Sequence, residues 1–304
     1  MRRFDKVKRF VSLFLVFALI ATFALVGCTQ TNEKGDGQQG ADEAKGTVKL
    51  GVVNWAEGIA MTNLAQAILE DKMGYDVEVT MAEPGLIFTS LAEGDYDAFL
   101  DGWLPVTHQS YMEQFGDDLA DLGYNFEGAR IGLVVPEYVD INSIEEMNSV
   151  KDKFDGKIVG IGSGAGIMQA SEKAIEEYGL DFELVEGSGP VMTAALADAV
   201  DNNEWIVVTG WKPHWKFARW DLKFLEDPKK TYGEAENIHT IARKDLEEDM
   251  PEVAQFFKNF KMNDQQLGSL MGMIADNQDK EPVDVAREWM KQNEDLVNSW
   301  IPAE

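Results

Sequence analysis

An alternation of short apolar runs and amphipathic segments occurs twice before residue 211 and restricts how this chain can fold more than any other feature. The first set comprises TVKLGVVNW (47–55), a helical stripe with Gly74 as its stop, YDVEVTMA, GLIFTSLAEG and DAFLDGW. The second comprises KIVGIG (157–162), a helix from about 167 to 178, a short strand near 182–184, a helix from about 191 to 202 and WIVVTGW (205–211). Because strands that alternate with helices pair in parallel, each set predicts a parallel sheet covered by helices. The sequence therefore predicts an α/β chain of two lobes with a ligand cleft between them.

The segments outside the two sets define the expected lobe boundaries. ARIGLVVPEYV (129–139) lies between the sets and is predicted to be an apolar strand that Pro136 closes. We expect the chain to enter the second lobe near Pro136 and to return near residues 222–228. The predicted first lobe is therefore 47–136 with 225–304, and the predicted second lobe is 137–224. Mainly helical segments are predicted at the end of the chain, at 250–261, 263–278 and 282–298.

The start of the chain has the pattern of an export signal. Five basic residues and one acid in MRRFDKVKRF precede VSLFLVFALIATFALVG, which has no charge. LVGC (25–28) resembles a bacterial lipobox, which implies that residues 1–27 are a lipoprotein signal peptide and that Cys28 anchors the chain to the cell membrane, facing outward. An uncleaved membrane anchor is the alternative. Residues 28–46 are polar and rich in Gly and Gln, so they are predicted to be a flexible tether.

The charge of the chain argues against one class of partner, and its motifs argue against one class of enzyme. The formal net charge is −27, and without residues 1–27 the chain has 22 basic and 53 acidic residues, a net charge of −31. Such a surface repels nucleic acid and anionic lipid. The sequence has neither the GxSxG nor the HExxH pattern of exported hydrolases, so we expect no catalysis, no metal and no cofactor.

Tryptophans follow three of the predicted strands. Trp55 follows the first strand, Trp103 the third, and Trp211 the last strand of the second set. Trp215 and Trp220 lie further on and are predicted to be packing residues. Since ligands bind beyond the carboxyl ends of the strands in open α/β sheets, the first three indoles are expected to share one site. Indole faces around a cavity attract a large, poorly hydrated cation, and quaternary ammonium groups are typical ligands of aromatic cages.

An anion site is expected beside these indoles. GSGAGI (162–167) opens a predicted helix and would present free backbone N–H groups to an anion, although a tight turn without a ligand explains the pattern equally well. The segment lacks the Lys of a P-loop, so a carboxylate fits it better than a polyphosphate. His108 is a candidate donor to the same carboxylate. Asp101 is expected to hold the turn formed by DGW.

Three motifs together resemble the substrate-binding lipoproteins of glycine betaine ABC importers, the OpuAC/ProX-like family of periplasmic-binding-protein-like domains. The motifs are GVVNWAEGIAMTNL, AFLDGWLPVTH and VVTGWKPHWKF, and the resemblance extends over most of residues 47–300. It implies a type II bilobal fold with a hinge between the lobes. It also implies that Trp55, Trp103 and Trp211 enclose a trimethylammonium group.

The same resemblance implies how the other end of the ligand is bound. The backbone amides of Gly166 and Ile167, together with His108, would bind a carboxylate, and Gly58 with Ile59 is a competing choice for the amide pair. The expected ligand is glycine betaine, with proline betaine as a further candidate. The chain, expected to be a monomer, would deliver it to the separate permease of an ABC importer. Choline or carnitine in the same cage is the alternative ligand, and an exported hydrolase that uses His108 is the alternative class.

Overall fold

The computed structural model describes residues 44–303. The predicted signal peptide 1–27, the predicted lipidation site Cys28 and residues 28–43 of the predicted tether lie outside the described residues. No helix within 44–303 combines the length and the apolar composition that crossing a membrane requires.

Nine strands and eleven α-helices form within the described residues, together with two 3-10 helices, Gly116–Asp118 and Ile144–Phe154. In chain order they are β1 (Thr47–Val52), α1 (Ala56–Asp71), β2 (Asp76–Met81), α2 (Pro84–Ala92), β3 (Ala98–Leu104), α3 (Gln109–Phe115), β4 (Leu119–Pro136), β5 (Lys157–Val159), α4 (Gly166–Tyr178), β6 (Glu183–Val185), α5 (Gly189–Asn202), β7 (Val208–Lys212), α6 (Lys216–Arg219), β8 (Leu222–Phe224), β9 (Glu236–Arg243), α7 (Leu246–Asp249), α8 (Pro251–Asn259), α9 (Asp264–Asp276), α10 (Pro282–Gln292) and α11 (Glu294–Trp300).

The strands form two mixed sheets that share the long strand β4. The first sheet has the order β2-β1-β3-β9-β4, and the second has the order β4-β7-β5-β6, with β8 also paired to β4. The strands of the two predicted sets pair in parallel, β1 with β2 and β3, and β5 with β6 and β7. The sheets are nevertheless not wholly parallel as predicted, because β9 pairs antiparallel with β3 and β4, and β7 pairs antiparallel with β4.

Strand β4 passes from one sheet to the other. Its residues up to Ala129 pair with β9, and those from Arg130 onward pair with β7 and β8. The strand begins at Leu119, earlier than the predicted apolar run, because its first half mixes buried and exposed side chains and has no continuous apolar signal. Strand β4 therefore changes its pairing partner at Ala129–Arg130, before Pro136. The division of the chain into lobes stays a prediction.

Two other elements differ from the sequence expectation. Strand β9 lies in the middle of the first sheet but was not predicted. Its sequence, ENIHTIAR, lies outside the two repeated strand–helix sets, and the strand pairs with β3 and β4, which are far away in the sequence. The predicted helix 282–298 is two helices, α10 and α11, since Asn293 has a non-helical backbone (φ −125°, ψ 35°). The helices α8 and α9 lie where the sequence predicted helices.

Helix α1 places the first part of the site. Its buried side includes Met61, Leu64, Ala65 and Ile68, which pack into the main hydrophobic core. A helix that buries this many side chains has one position on its sheet, because a shift would expose apolar surface at about 25 cal/mol per Å². This packing holds Trp55, the residue that precedes the helix, beyond the end of β1.

A substitution at Gly268 tests the helical structure of α9. Gly268 lies inside α9, and a methyl group added there would have no atom within 4 Å. Alanine favours a helix interior over glycine by about 0.5–1 kcal/mol, so Gly268→Ala should raise the free energy of unfolding by that amount, as measured by urea denaturation. Gly102→Ala is the control, because its methyl group would lie 2.6 Å from Ile241 Cγ1 and should lower stability. A destabilised Gly268→Ala variant would contradict the open position in α9.

Candidate ligand-binding site

A small cavity lies where elements of the two sheets meet. Five of the six predicted ligand-binding residues line it: Trp55, Trp103, Trp211, Gly166 and Ile167. The sixth, His108, lies behind this lining. The two predicted halves of the site, the indoles and the start of α4, are therefore adjacent in space although up to 112 positions (Trp55 to Ile167) separate them in the sequence.

The three indoles reach the cavity from three different elements. Trp55 precedes α1, Trp103 lies near the end of β3, and Trp211 lies near the end of β7. Trp103 and Trp211 are only 2 % and 3 % exposed, whereas Trp55 is half-buried. The ring centroids of Trp55 and Trp211 are 6.5 Å apart and their planes are inclined by 57°. A cation between two such rings can lie within about 6 Å of both centroids, the range of a cation–π interaction.

Two buried carboxyl groups orient two of the indoles. The indole N–H of Trp211 donates to Glu57 Oε2 at 2.7 Å, and that of Trp103 donates to Asp101 Oδ1 at 2.8 Å. Glu57 lines the cavity, whereas Asp101 lies behind it. The expectation that Asp101 holds a turn is wrong, because DGW lies inside β3 and the carboxyl group bonds the side chain of Trp103 instead.

The environment of these carboxyl groups favours their neutral forms. Burial raises the pKa of Glu57 to about 7, against the opposing effects of the Trp211 hydrogen bond and the charge of Lys216. Burial and the charge of Glu57 together raise the pKa of Asp101 well above its usual value. Glu57 Oε1 and Asp101 Oδ2 are buried and have no hydrogen-bond partner in the part of the chain that the structure describes.

A buried lysine completes this cluster. Lys216 is fully buried at the start of α6, and its Nζ lies 4.1 Å from the centroid of the Trp211 ring. Burial lowers its pKa to about 7. Neither Glu57 nor Lys216 was predicted from the sequence, although a carboxyl residue two positions from Trp55 and a lysine one position after Trp215 were visible signals. Neither spacing shows burial, which depends on how α1 and α6 pack.

His108 is held in one orientation directly behind the lining. Its Nδ1 accepts the backbone N–H of Trp103 at 3.0 Å, and its ring stacks on Trp55 with centroids 5.9 Å apart. Burial lowers its pKa to about 3, so the ring is neutral near pH 7 and the proton lies on Nε2, the nitrogen that is not an acceptor. Nε2 is buried and finds no hydrogen-bond partner among residues 44–303. The predicted donation to a ligand carboxylate stays a prediction.

The start of α4 is pressed against the loop that follows β3. A methyl group added to Gly166 would lie 2.0 Å from the carbonyl oxygen of Thr107, so only glycine permits this approach. Thr107 is itself held by Glu236, whose Oε2 accepts the backbone N–H groups of Val106 and Thr107 at 3.1 and 3.0 Å. Glu236 also accepts the hydroxyl proton of Thr107 through its other oxygen.

The competing amide pair is less accessible. The N–H of Ile59 donates to the carbonyl of Trp55 at 2.9 Å as part of α1. Gly58 faces Asp101, since a methyl group there would lie 2.4 Å from Asp101 Oδ2. By contrast, Gly166 and Ile167 are the first two residues of α4, where backbone N–H groups have no acceptor inside the helix.

Trp215 and Trp220 do not line the cavity. Their ring centroids are 5.6 Å apart, and both side chains pack against the main hydrophobic core, as predicted. They also contribute to a separate groove beside α5 and α9. Of the aromatic residues in the segment 211–220, Trp211 is therefore the one that contacts the cavity.

Comparisons with known proteins identify the family that this chain is similar to. Residues 46–292 match the family model described as the substrate-binding domain of the ABC-type glycine betaine transport system. Over 152 residues the chain is 46% identical to the glycine betaine/carnitine transport binding protein GbuC of Listeria monocytogenes. That match covers 49% of this chain and 50% of the relative, so it spans about half of the relative's length.

Two crystal structures have a similar fold. The glycine betaine, L-proline-binding protein ProX from Borrelia burgdorferi has a TM-score of 0.81 and 38% identity, over 84% of this chain and 97% of that one. Lactococcal OpuAC, in its closed-liganded conformation with glycine betaine, has a TM-score of 0.80 and 36% identity, over 85% of this chain and all of that one (100%). These likenesses confirm the predicted bilobal type II binding-protein fold. Because the family model matches most of the sequence, this chain belongs to the family of substrate-binding domains of ABC-type glycine betaine transport systems.

Proposed function

We propose that this chain is the extracytoplasmic solute-binding protein of an ABC importer and that it binds glycine betaine, with proline betaine as a second ligand. The observation that supports this most is the meeting of Trp55, Trp103 and Trp211 with the start of α4 at one small cavity. A site with aromatic rings and with N–H donors that have no acceptor inside their own helix suits a ligand with a quaternary ammonium group and a carboxylate.

In the proposed complex, the trimethylammonium group lies among the three indoles. A group without N–H donors loses little hydration when it is buried, and each indole contributes roughly 1–2 kcal/mol once water is excluded. The carboxylate accepts the N–H groups of Gly166 and Ile167, where the helix dipole also favours negative charge. The proton on His108 Nε2 supplies a third donor.

Binding is proposed to act through closure of the two lobes. Trp55, Trp103 and His108 belong to the proposed first lobe (47–136 with 225–304), and Trp211 with α4 belongs to the proposed second lobe (137–224). A ligand that contacts both lobes stabilises the closed form in proportion to its higher affinity for that form. The hydrogen bond from Trp211 to Glu57 joins the same two groups of elements.

We also propose how the protein is anchored and how it delivers the ligand. The signal peptide 1–27 is removed, Cys28 carries the lipid that anchors the protein, and residues 28–46 act as the tether. The closed monomer then meets a separate permease of the importer, which receives the ligand.

Choline is the second candidate ligand, and Glu57 is the observation that favours it. A buried carboxyl group in the cavity suits a ligand of net charge +1, whereas glycine betaine is a zwitterion. Choline, however, has no carboxylate and would leave the N–H groups of α4 without an acceptor, which costs about 1–3 kcal/mol. Carnitine has both groups and a hydroxyl in addition, so the length of the cavity decides whether it fits.

Calorimetric titration of residues 29–304 with glycine betaine, choline, carnitine and proline tests the proposal. We expect saturable binding of glycine betaine, and binding of choline that is weaker by about tenfold or more, because 1.4 kcal/mol corresponds to a factor of ten. Proline, which lacks the three methyl groups, should bind more weakly still. If choline binds best, the carboxylate site is discarded, and if none of the four binds, the proposed function is discarded.

A further inference from the structure

The carboxyl group of Glu57 differs from that of Asp101 in its position toward the cavity. Both accept the N–H of an indole, and both keep one buried oxygen without a partner within the described part of the chain. Only Glu57 lines the cavity. Glu57 therefore lies beside the place where the proposed cationic head group would lie, and its carboxyl group has one buried oxygen that no other group in the described part of the chain satisfies.

We propose that Glu57 is the counter-charge of the cavity and a specificity-determining residue, whose carboxylate selects a cationic head group over an uncharged group of the same shape. The inference rests on the proposed function and deepens it. Three indole faces alone attract a cation only through their electron distribution and also accept an apolar group of equal size. A buried carboxylate distinguishes the two, because a charge–charge interaction is stronger in a dry site than in water.

The hydrogen bond between Trp211 and Glu57 also strengthens the attraction of the cavity for a cation. When an ionised carboxylate accepts the indole N–H, it polarises the ring and makes its face more negative, since hydrogen bonds polarise one another in a low-dielectric interior. Glu57 thus attracts the cation directly and also through Trp211. Glutamine at this position can still accept the N–H through its amide oxygen, so Glu57→Gln removes the charge and keeps the support of the ring.

The charged and titratable groups around Glu57 determine the sign of a pH effect. Asp101 from β3 and Lys216 from α6 both interact with it electrostatically. His108 is neutral, and burial together with the charge of Lys216 lowers the pKa of His214, whose Nδ1 accepts the N–H of Lys216. Neither histidine therefore titrates near pH 7.

The sign of the pH effect follows from Glu57 and Lys216, whose pKa values are both about 7. Glu57 gains a negative charge as the pH rises through about 7, and Lys216 loses its positive charge over the same range. Both changes favour a cation in the cavity. The affinity for glycine betaine should therefore rise with pH from about 5.5 to about 8.5, and binding below about pH 7 should release protons, because the cation favours the ionised form of Glu57.

Calorimetric titration of residues 29–304 with two ligands of equal shape tests the inference. The probes are glycine betaine and 3,3-dimethylbutyrate, in which a carbon atom replaces the charged nitrogen. We expect Glu57→Gln to weaken glycine betaine by about tenfold or more and to leave 3,3-dimethylbutyrate within about twofold of wild type, with a flatter pH profile. Titration in buffers of different ionisation enthalpy should show that the variant releases fewer protons.

Asp101→Asn is the matched variant, because it also replaces a buried carboxyl group that accepts an indole N–H but does not line the cavity. It should keep the preference for glycine betaine over 3,3-dimethylbutyrate within about threefold of wild type. The inference is overturned if Glu57→Gln weakens both ligands equally, if it weakens neither, or if Asp101→Asn reduces the preference as much. Failure of the wild-type protein to bind glycine betaine is a separate result, which overturns the proposed function and this inference with it.

Discussion

Replacing Gly166 with alanine is expected to lower the affinity for glycine betaine by about a hundredfold or more while the domain stays folded. The added methyl group would lie 2.0 Å from the carbonyl oxygen of Thr107 and 2.6 Å from its Cγ2. Thr107 cannot retreat easily, because Glu236 accepts both its backbone N–H and its hydroxyl proton. The start of α4 would therefore be pushed away from the indoles, and one ligand could no longer contact both.

The structure offers a matched control in the same segment. Gly164 lies two positions before Gly166, and a methyl group there would make ordinary contacts, the nearest being Glu83 Oε2 and the hydroxyl of Tyr111, each at 3.8 Å. Gly164→Ala should bind within about threefold of wild type. Calorimetry gives both affinities, and urea denaturation verifies that both variants are folded. Wild-type affinity in Gly166→Ala would show that the approach of α4 to Thr107 is not needed for binding.

Removing the indole of Trp211 is the second change with a large expected effect. Trp211→Ala takes away a wall of the cavity and leaves Glu57 Oε2 without its donor. Tryptophans in well-packed binding sites contribute about 2–4 kcal/mol when they are truncated, so we expect a loss of about thirtyfold to several hundredfold in the affinity for glycine betaine. Trp211→Phe keeps an aromatic face but has no N–H donor, and its affinity should lie between those of wild type and Trp211→Ala.

Trp215→Ala separates this effect from general damage to the segment. Trp215 lies four positions later, and its side chain packs against the core outside the cavity. We expect Trp215→Ala to lower the free energy of unfolding but to change the affinity by less than about threefold. Calorimetry and urea denaturation of the two variants provide the comparison. Equal losses of affinity would mean that Trp211 acts through the packing of the segment and not as a contact of the ligand.

The repeated α/β pattern and the shared position of Trp55, Trp103 and Trp211 were predictable from the sequence. A strand or helix with one buried side has a local periodicity, and parallel strands place their carboxyl ends at one edge of a sheet. Strand β9 and the first half of β4 were not predictable in this way. Their stability comes from antiparallel pairing with strands that are distant in the sequence, and pairing of that kind leaves little local signal.

The chemistry of the site was also predictable only in part. The sequence by itself determined which residue types follow the strands: three indoles, a glycine-rich helix start and one histidine. Only the tertiary structure decided which charged groups near these residues are buried away from water. Glu57, Asp101 and Lys216 are ordinary charged residues in the sequence, and each is fully buried in the folded chain. Burial is the sum of contacts from several elements, so no local pattern encodes it, and yet it determines the pKa of Glu57 and the charge that a ligand would meet.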